Sequence, residues 1–232
     1  MKASNKPFVV IVLGPGGSGK GTQAQLLSEK FNLYHLETSE IIERNLAGAK
    51  KGDFVLVGGK KYYLLEEKKI REAGELMSPP LITFWVEQKI KELAKEQKGL
   101  TTSGSPRTMF EGQALIPLLK KLYGQGNVKV IALKISEKES IWRNSHRQTC
   151  ELMRHPIMYS PETAKMTKCP LDGSKLLKRK DDDPKVIKIR FKEYNERTYP
   201  LLDLFKKEGL KVSEINGEQS VENVHLDILK AL

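Results

Sequence analysis

The feature that most constrains the fold is a glycine-rich segment, Gly14–Thr22, which lies between two stretches of different periodicity. The residues before it, 8–13, are apolar without alternation, which predicts a strand buried on both faces of a parallel sheet. The residues after it, 20–30, place apolar side chains at helical spacing. A strand, a glycine-rich loop and a helix in this order predict a phosphate cradle, because small residues allow close approach of backbone N–H groups and the helix N-terminus is partly positive.

Lys20 stands at the end of this loop, where its ammonium group can neutralise phosphate oxygens. The hydroxyl residue that usually follows such a lysine is displaced by one position, because Gly21 comes next and Thr22 after it. The alternative interpretation is a glycine-rich turn with an incidental lysine. The predicted strand and helix on either side favour the phosphate loop.

The rest of the chain alternates between strand and helix patterns. Further strands are predicted at 33–36, 100–103, 128–135 and 212–215. Helices are predicted before 100, after 136 and after 215, but none between 103 and 128. Thr38 or Ser39 is expected to cap the second helix, Ser136 and Glu139 have the spacing of a capping box, and Pro200 is expected to kink a late helix. Strands alternating with helices predict an α/β fold with a parallel sheet.

The net charge and the cysteine count limit the kinds of partner and compartment that fit the chain, but they do not identify one partner. A formal charge of +11 favours nucleic acid, anionic lipid or phosphorylated small molecules. Two cysteines are too few for a disulfide framework and fit a reducing compartment, so we expect a cytoplasmic protein. No apolar run approaches the roughly 20 residues that span a bilayer, so no membrane partner is expected.

The residues Gly19–Gln23, Gly-Lys-Gly-Thr-Gln, resemble the adenylate kinases and related nucleoside monophosphate kinases, in which glycine follows the loop lysine. The similarity continues through Leu36–Glu40, Gly74–Met77, Gly104–Thr108, Arg143, Arg147, Arg179–Asp182, Arg190, Tyr194, Thr198 and Pro200. It implies a P-loop three-layer α/β sandwich with a central parallel sheet and two small lobes. The implied division is a core of residues 1–37, 99–148 and 179–232, an acceptor-binding lobe of 38–98 and a lid lobe of 149–178.

The resemblance implies reversible phosphoryl transfer from MgATP to AMP, giving two ADP, and assigns roles to residues. Catalytic roles fall to Lys20, Arg107, Arg143, Arg179 and Arg190. ATP binding falls to Gly17, Ser18, Gly19, Lys20, Gly21, Thr22, Arg143, Arg147 and Gln219. Acceptor binding falls to Thr38, Arg44, Met77, Gly104, Arg107, Glu111, Arg179 and Arg190. Five of the nine arginines are used in this way, in a chain whose 31 lysines supply most of the positive charge.

Two positions depart from the family pattern around the phosphates. Ser103 replaces the acid that organises magnesium waters, so metal binding is expected to be weaker unless Glu40 or Asp181 compensates. Glu43 replaces an acceptor-binding arginine, and Arg44 is the proposed substitute. A shift of one residue on a helix turns a side chain by about 100°.

A third departure concerns the acceptor base. Glu111 or Gln113 stands near the residue that reads adenine in the family. If Glu111 faces the base, its carboxylate accepts hydrogen bonds only, which suits a guanine edge better than adenine. A different acceptor, such as GMP, is therefore a second hypothesis.

The lid segment carries a metal-ligand pattern. Cys150, His155, Cys169 and Asp172 form two short-range pairs separated by a loop, as in structural zinc sites. Some members of the family resemble this arrangement in the lid. Three alternatives remain open, namely a zinc-bound lid, a metal-free lid that uses these groups as hydrogen-bond partners, and a disulfide.

A hypothesis from another class is a nucleotide-binding sensor or RNA-associated assembly factor with weak turnover. Its lysine-rich surface, including Lys50, Lys51, Lys60 and Lys61, would dock RNA, although a solvated rim explains these lysines equally. Retention of the loop lysine and the arginines favours an enzyme. Nucleic acid is therefore not expected as the main partner, and a monomer is expected.

Overall fold

The computed structural model describes residues 7–153, 156–178 and 182–232. The strands within these ranges are β1 (Val9–Leu13), β2 (Tyr34–Glu37), β3 (Phe54–Val57), β4 (Lys60–Tyr63), β5 (Leu100–Ser103), β6 (Val128–Lys134), β7 (Gln148–Cys150), β8 (Pro156–Ile157), β9 (Leu176–Leu177) and β10 (Val212–Asn216). The α-helices are α1 (Lys20–Phe31), α2 (Thr38–Leu46), α3 (Leu64–Glu72), α4 (Pro79–Lys95), α5 (Met109–Tyr123), α6 (Glu137–His146), α7 (Pro184–Glu193), α8 (Leu201–Lys207) and α9 (Val221–Ala231). Across the described ranges, no helix is both long enough and apolar enough to cross a bilayer.

The main sheet has five parallel strands in the order β10-β6-β1-β5-β2. Every residue of the central strand β1 is buried, because helices cover both faces of the sheet. Val9 and Ile11 pack into one apolar cluster and Val10 and Val12 into another, as strand alternation requires. The three-layer α/β sandwich predicted from the sequence is confirmed.

Two small antiparallel sheets interrupt this core. The hairpin β3–β4 lies between α2 and α3, and the strands β8-β7-β9 lie between α6 and α7. They fall in the segments predicted as the acceptor-binding lobe, 38–98, and the lid lobe, 149–178, although β7 begins one residue earlier. The positions of the domain boundaries remain predictions.

Local capping predictions are partly right. The Ser136 hydroxyl accepts a hydrogen bond from the Glu139 N–H at 3.2 Å, so the predicted cap of α6 is confirmed. The predicted cap of α2 is wrong, because Glu37 occupies the N-cap and makes no side-chain cap bond. The Ser39 hydroxyl instead donates back to the Glu37 carboxylate.

The late helix is broken where a kink was predicted. Residues Tyr194–Thr198 form a π-helical turn that ends just before Pro200, and α8 starts at Leu201. Proline lacks an N–H donor, so a regular α-helix cannot continue through this position. The sequence did not predict α5, in which Gly112 and Pro117 lie inside the helix.

Candidate active site

The glycine-rich loop crosses the carboxyl edge of the sheet between β1 and α1. Gly19 caps α1 with φ +89°, and a Cβ atom at Gly19 or Gly21 would meet nothing within 4 Å, so the backbone borders open space. A Cβ atom at Gly17 would lie 2.8 Å from Asn144 Nδ2, so the other side of the loop packs against α6. Ser18 Oγ is buried without a hydrogen-bond partner among the described residues. Open backbone and an unpartnered hydroxyl are what an anion cradle requires.

Cationic side chains from separate parts of the chain converge on this loop. Burial, followed by the guanidinium groups of Arg107, Arg190 and Arg147, lowers the pKa of Lys20 well below its ordinary value. Arg143 joins them from α6, where its Nη1 lies 3.4 Å from the Gly17 carbonyl oxygen. Like charges that crowd a partly buried cleft raise one another's free energy, so an anionic ligand stabilises the arrangement.

The chain leaves the core for the lid and returns from it at one ion pair. Arg147 donates to Asp182 at 2.7 and 3.4 Å, and the Asp182 side chain is only 3% exposed. The predicted catalytic residue Arg179 lies outside the described residues. A second tie runs from the Thr198 hydroxyl to the Arg107 carbonyl oxygen at 2.8 Å, so the late helix also holds the loop that carries Arg107.

Three predicted acceptor residues are brought together at the carboxyl end of β5. A Cβ atom at Gly104 would lie 2.8 Å from Arg107 Nη2 and 3.3 Å from Thr38. Thr38 Oγ1 is buried and lacks a hydrogen-bond partner within the described ranges. Met77 is buried and packs into the apolar core. This corner of the site, formed by Thr38, Gly104 and Arg107, therefore combines the Arg107 guanidinium with the Thr38 hydroxyl, which has no hydrogen-bond partner within the described ranges.

The Glu111 carboxylate is engaged by its own loop, and its predicted role in acceptor binding remains a prediction. Glu111 is buried, and its carboxylate accepts hydrogen bonds from Ser105 Oγ at 2.8 Å, the Arg107 N–H at 3.1 Å and Thr108 Oγ1 at 3.1 Å. Burial is the main cause that raises its pKa, and these hydrogen bonds oppose the shift. Glu111 thus holds the loop that carries Arg107.

Arg44 is exposed on α2, and its predicted role as an acceptor ligand remains a prediction. Its side chain is 70% exposed and pairs with Glu40 on the same helix at 3.5 Å. It borders a cavity of about 440 Å³, which is also lined by Glu37 and Trp85.

Arg71 on α3 is a cation that sequence reasoning missed. It donates to Glu43 at 3.0 Å, and its charge helps to lower the pKa of Arg107, after burial, Arg190 and an opposing contribution from Glu111. Glu43 replaces an expected arginine, and the cation paired with it, Arg71, comes from the neighbouring helix α3. An acid at the position of an expected arginine was the available sequence signal.

The family model for adenylate kinases matches residues 12–210 of the chain. The chain belongs to the adenylate kinase family. An adenylate kinase of Clostridium botulinum (strain Loch Maree / Type A3) is 32% identical over 228 residues, covering 96% of this chain and 97% of the relative. That of Methanothrix thermoacetophila is 31% identical over 225 residues, again covering 96% and 97%. That of Dehalococcoides mccartyi is 33% identical over 226 residues, covering 97% and 98%.

Membership of the adenylate kinase family confirms the resemblance carried by Gly19–Gln23 and makes the chain a nucleoside monophosphate kinase. Such kinases transfer a phosphoryl group between nucleotides. The loop, the converging cations and the corner formed by Thr38, Gly104 and Arg107 supply the positioning and charge neutralisation that this chemistry needs.

Gln219, predicted to lie near the donor base, precedes α9. The neighbouring Gly217 lies against the phosphate loop, since a Cβ atom there would be 3.4 Å from the Ser18 carbonyl oxygen. The Gln219 amide donates to the Asn216 carbonyl oxygen at 2.9 Å and to Asp227 at 3.2 Å. Its side chain is thus engaged within its own loop, and its contact with ATP remains a prediction.

The candidate metal ligands of the lid lie close together. One ligand atom each from Cys150, Cys169 and Asp172 lies within 4.8 Å of the others, and both cysteines are buried. Cys150 donates to Asp172 at 3.0 Å, and hydrogen bonds from Cys150 and Ser174 hold the pKa of Asp172 below its usual range. The predicted fourth ligand, His155, lies outside the described residues. The disulfide alternative is not formed in the structure.

One polar chain at the carboxyl edge of the sheet was not predicted. The Gln25 amide donates to Glu29 at 2.7 Å, which leaves its oxygen to face His35 Nδ1 at 3.0 Å. His35 Nε2 lies 3.1 Å from Ser103 Oγ. Given this amide orientation, Nδ1 carries the proton and Nε2 accepts from Ser103. The serine at the family's acidic position therefore presents a neutral oxygen.

Proposed function

We propose that the chain transfers a phosphoryl group from MgATP to AMP, giving two ADP, by direct in-line displacement. The observation that carries this proposal is the convergence of Arg107, Arg147 and Arg190 on Lys20 at the carboxyl edge of the sheet. Phosphoryl transfer needs little covalent chemistry from protein and depends on positioning and charge neutralisation. Closure of the lid over this cleft would exclude water as a competing acceptor.

On the donor side, residues 17–22 hold the ATP phosphates, with Lys20, Arg143 and Arg147 as cationic partners. The oxygen donors at this edge, namely the hydroxyls of Thr22 and Ser103 and the carboxylate of Glu37, fit Mg²⁺, which prefers oxygen ligands and retains several waters. When bound with ATP, the metal supplies neutralisation of charge on the transferring group. Gln219 contributes to the surroundings of the donor base through its loop.

On the acceptor side, Arg107 and Arg71 hold the phosphate of AMP, while Thr38, Gly104 and Met77 surround the nucleoside. Arg190 and Arg179 act on the transferring group. AMP is favoured over GMP for two reasons. The curated relatives are named adenylate kinases, and the Glu111 carboxylate, on which the guanine argument rested, is already occupied by three donors from its own loop.

We also propose that the lid binds structural Zn²⁺ through Cys150, Cys169 and Asp172, with His155 as fourth ligand. The spacing fits, because thiolates bound at about 2.3 Å in a tetrahedral site lie within the observed 4.8 Å of each other. Metal analysis of protein purified without chelator tests this, with Cys150→Ser as the control. One zinc per chain in the wild type, lost in the variant, is expected, and absence of zinc from the wild type would contradict it.

The division into core, acceptor lobe and lid, a monomeric state and a cytoplasmic location complete the proposal. The test of the activity is a coupled assay with ATP and each of AMP, GMP, CMP and UMP. AMP is expected to give the highest kcat/KM, and Arg107→Lys is expected to lower it about 100-fold through loss of the planar fork. Arg197→Lys is the matched control, because Arg197 pairs with Glu193 at 3.0 Å.

Preference for another monophosphate would reassign the acceptor within the same reaction. Negligible turnover with all four acceptors, together with salt-dependent RNA binding, would instead favour the RNA-associated alternative.

A further inference from the structure

The acid Glu37 lies at the end of β2, which is separated from β1 by the strand β5. In the parallel pair β2–β5, Glu37 is the register partner of Ser103, and Ser103 is in turn the partner of Val12 in β1. Residues in register on adjacent strands point to the same face of a sheet, so Glu37 and Ser103 stand side by side. Both are the last residues of their strands, at the edge where the phosphate loop begins.

The charge of Glu37 acts on the phosphate-binding cations. It opposes the lowering of the pKa of Lys20 and also that of Arg107. The side chain does not cap α2, and it receives the Ser39 hydroxyl at one carboxylate oxygen. No ion pair joins Glu37 to a lysine or arginine within the described ranges. The second carboxylate oxygen is therefore available to a ligand in the cleft.

Of the two acids considered for this purpose from the sequence, Asp181 lies outside the described residues and Glu40 is placed differently from Glu37. Ser103 offers only a neutral oxygen, whose proton is directed to His35 Nε2. Glu40 pairs with Arg44 on the exposed side of α2.

We propose that Glu37 positions the hydrated divalent cation that accompanies ATP, so that the carboxylate comes from β2 while β5 supplies the neutral oxygen of Ser103. Mg²⁺ dehydrates reluctantly and is usually held through one or two carboxylates together with substrate phosphates. Glu37 is thus a positioning residue that acts through the metal and its waters. The inference rests on the proposed use of MgATP and adds the residue responsible for it.

The test measures Mn²⁺ binding by electron paramagnetic resonance in protein saturated with adenylyl imidodiphosphate, which needs no turnover. Glu37→Gln keeps the shape and the bond from Ser39 but removes the charge. It is expected to weaken Mn²⁺ binding about tenfold, as loss of an outer-shell partner typically does. Glu40→Gln, three residues further on in α2, is the matched control and is expected to bind Mn²⁺ as the wild type does.

Rescue distinguishes positioning from a structural role. Ser103→Asp in the Glu37→Gln background moves the carboxylate one strand across at the same register, so it is expected to restore most of the lost affinity. Glu37→Asp, which keeps the charge without altering β5, is expected to retain affinity between those of the wild type and Glu37→Gln.

Mn²⁺ binding by Glu37→Gln equal to that of the wild type would overturn the inference, as would equal weakening in Glu37→Gln and Glu37→Asp. These outcomes leave the kinase proposal intact if AMP is still phosphorylated. Failure of the wild type to bind the nucleotide would overturn both.

Discussion

Substitution of Glu111 separates a loop-positioning role from recognition of the acceptor base. Glu111→Ala removes the acceptor for three donors, two of which are the hydroxyls of the buried residues Ser105 and Thr108. Leaving a buried donor unpaired costs about 1–3 kcal/mol. At about 1–1.7 kcal/mol each, three unpaired donors lower the free energy of unfolding by roughly 3–5 kcal/mol. Part of this loss is offset, because the variant no longer buries a charged carboxylate. A net loss of about 2–4 kcal/mol is expected.

Glu111→Gln is the matched control for this prediction. Its amide oxygen can accept from Ser105 Oγ and the Arg107 N–H, and its NH₂ group can donate to Thr108 Oγ1. The expected loss is therefore only about 1 kcal/mol. Urea denaturation gives both free energies of unfolding, provided that the m-values agree.

Acceptor kinetics complete this experiment. Because Glu111 fixes the loop that carries Arg107, Glu111→Ala is expected to raise the KM for the acceptor about tenfold, while the order of preference among monophosphates stays the same. A Glu111→Gln variant of unchanged stability that prefers a different base would refute the reasoning and show that Glu111 reads the base.

Three further predictions follow from particular contacts. Arg147→Ala leaves the buried Asp182 carboxylate without this ion pair and should lower the free energy of unfolding, measured by urea denaturation, by about 3 kcal/mol. The control Arg197→Ala removes a more exposed pair and should lower it by under about 1 kcal/mol. Equal losses in the two variants would contradict the importance of the Arg147–Asp182 pair. Burial raises the pKa of Tyr123 to about 12, so the unfolded chain loses this proton at a lower pH than the folded chain, and the free energy of unfolding should fall as pH rises from 10 towards 12. In denaturation curves, Tyr123→Phe should lessen that fall, and an unaltered fall would contradict the role of Tyr123. Gly104→Ala, at φ +109°, should displace Arg107 and raise the KM for the acceptor about tenfold. Gly58→Ala, in the open hairpin turn, should leave this KM unchanged. Similar KM values for the two variants would contradict the steric argument.

The parts of the site that were predictable from sequence are those fixed by local chain chemistry. Gly14–Thr22 needs only a strand, a run of small residues and a helix start, so its position followed directly. Ser136 and Glu139 lie three residues apart, and the Ser136 hydroxyl caps α6 by accepting the Glu139 N–H, although the Ser136 N–H donates to Glu218 rather than to Glu139. The helix α5 escaped prediction because Gly112 and Pro117 weaken its local preference, while packing against α4 and α8 supports it.

The parts that could not be predicted depend on contacts between distant segments. A motif position indicates that Glu111 is near the acceptor, but only the folded loop shows that Ser105 and Arg107 take up its carboxylate. Arg71 becomes a neighbour of Arg107 through the packing of α3. Glu37 and Ser103 are 66 positions apart and meet only through strand register.

The ion pair between Arg147 and Asp182 holds together the two chain segments that flank the lid, so the lid can vary in length while its attachment to the core stays the same. Arg147 and Asp182, on either side of the insert, form a buried ion pair, and Tyr159 of the insert also packs against Trp142 and His146 of α6. Loop-closure entropy grows slowly with length, by about 0.6 kcal/mol per doubling. Changes in the length or metal chemistry of the lid therefore alter its own stability far more than that of the core. Such an architecture lets one catalytic core persist while its lid changes during evolution.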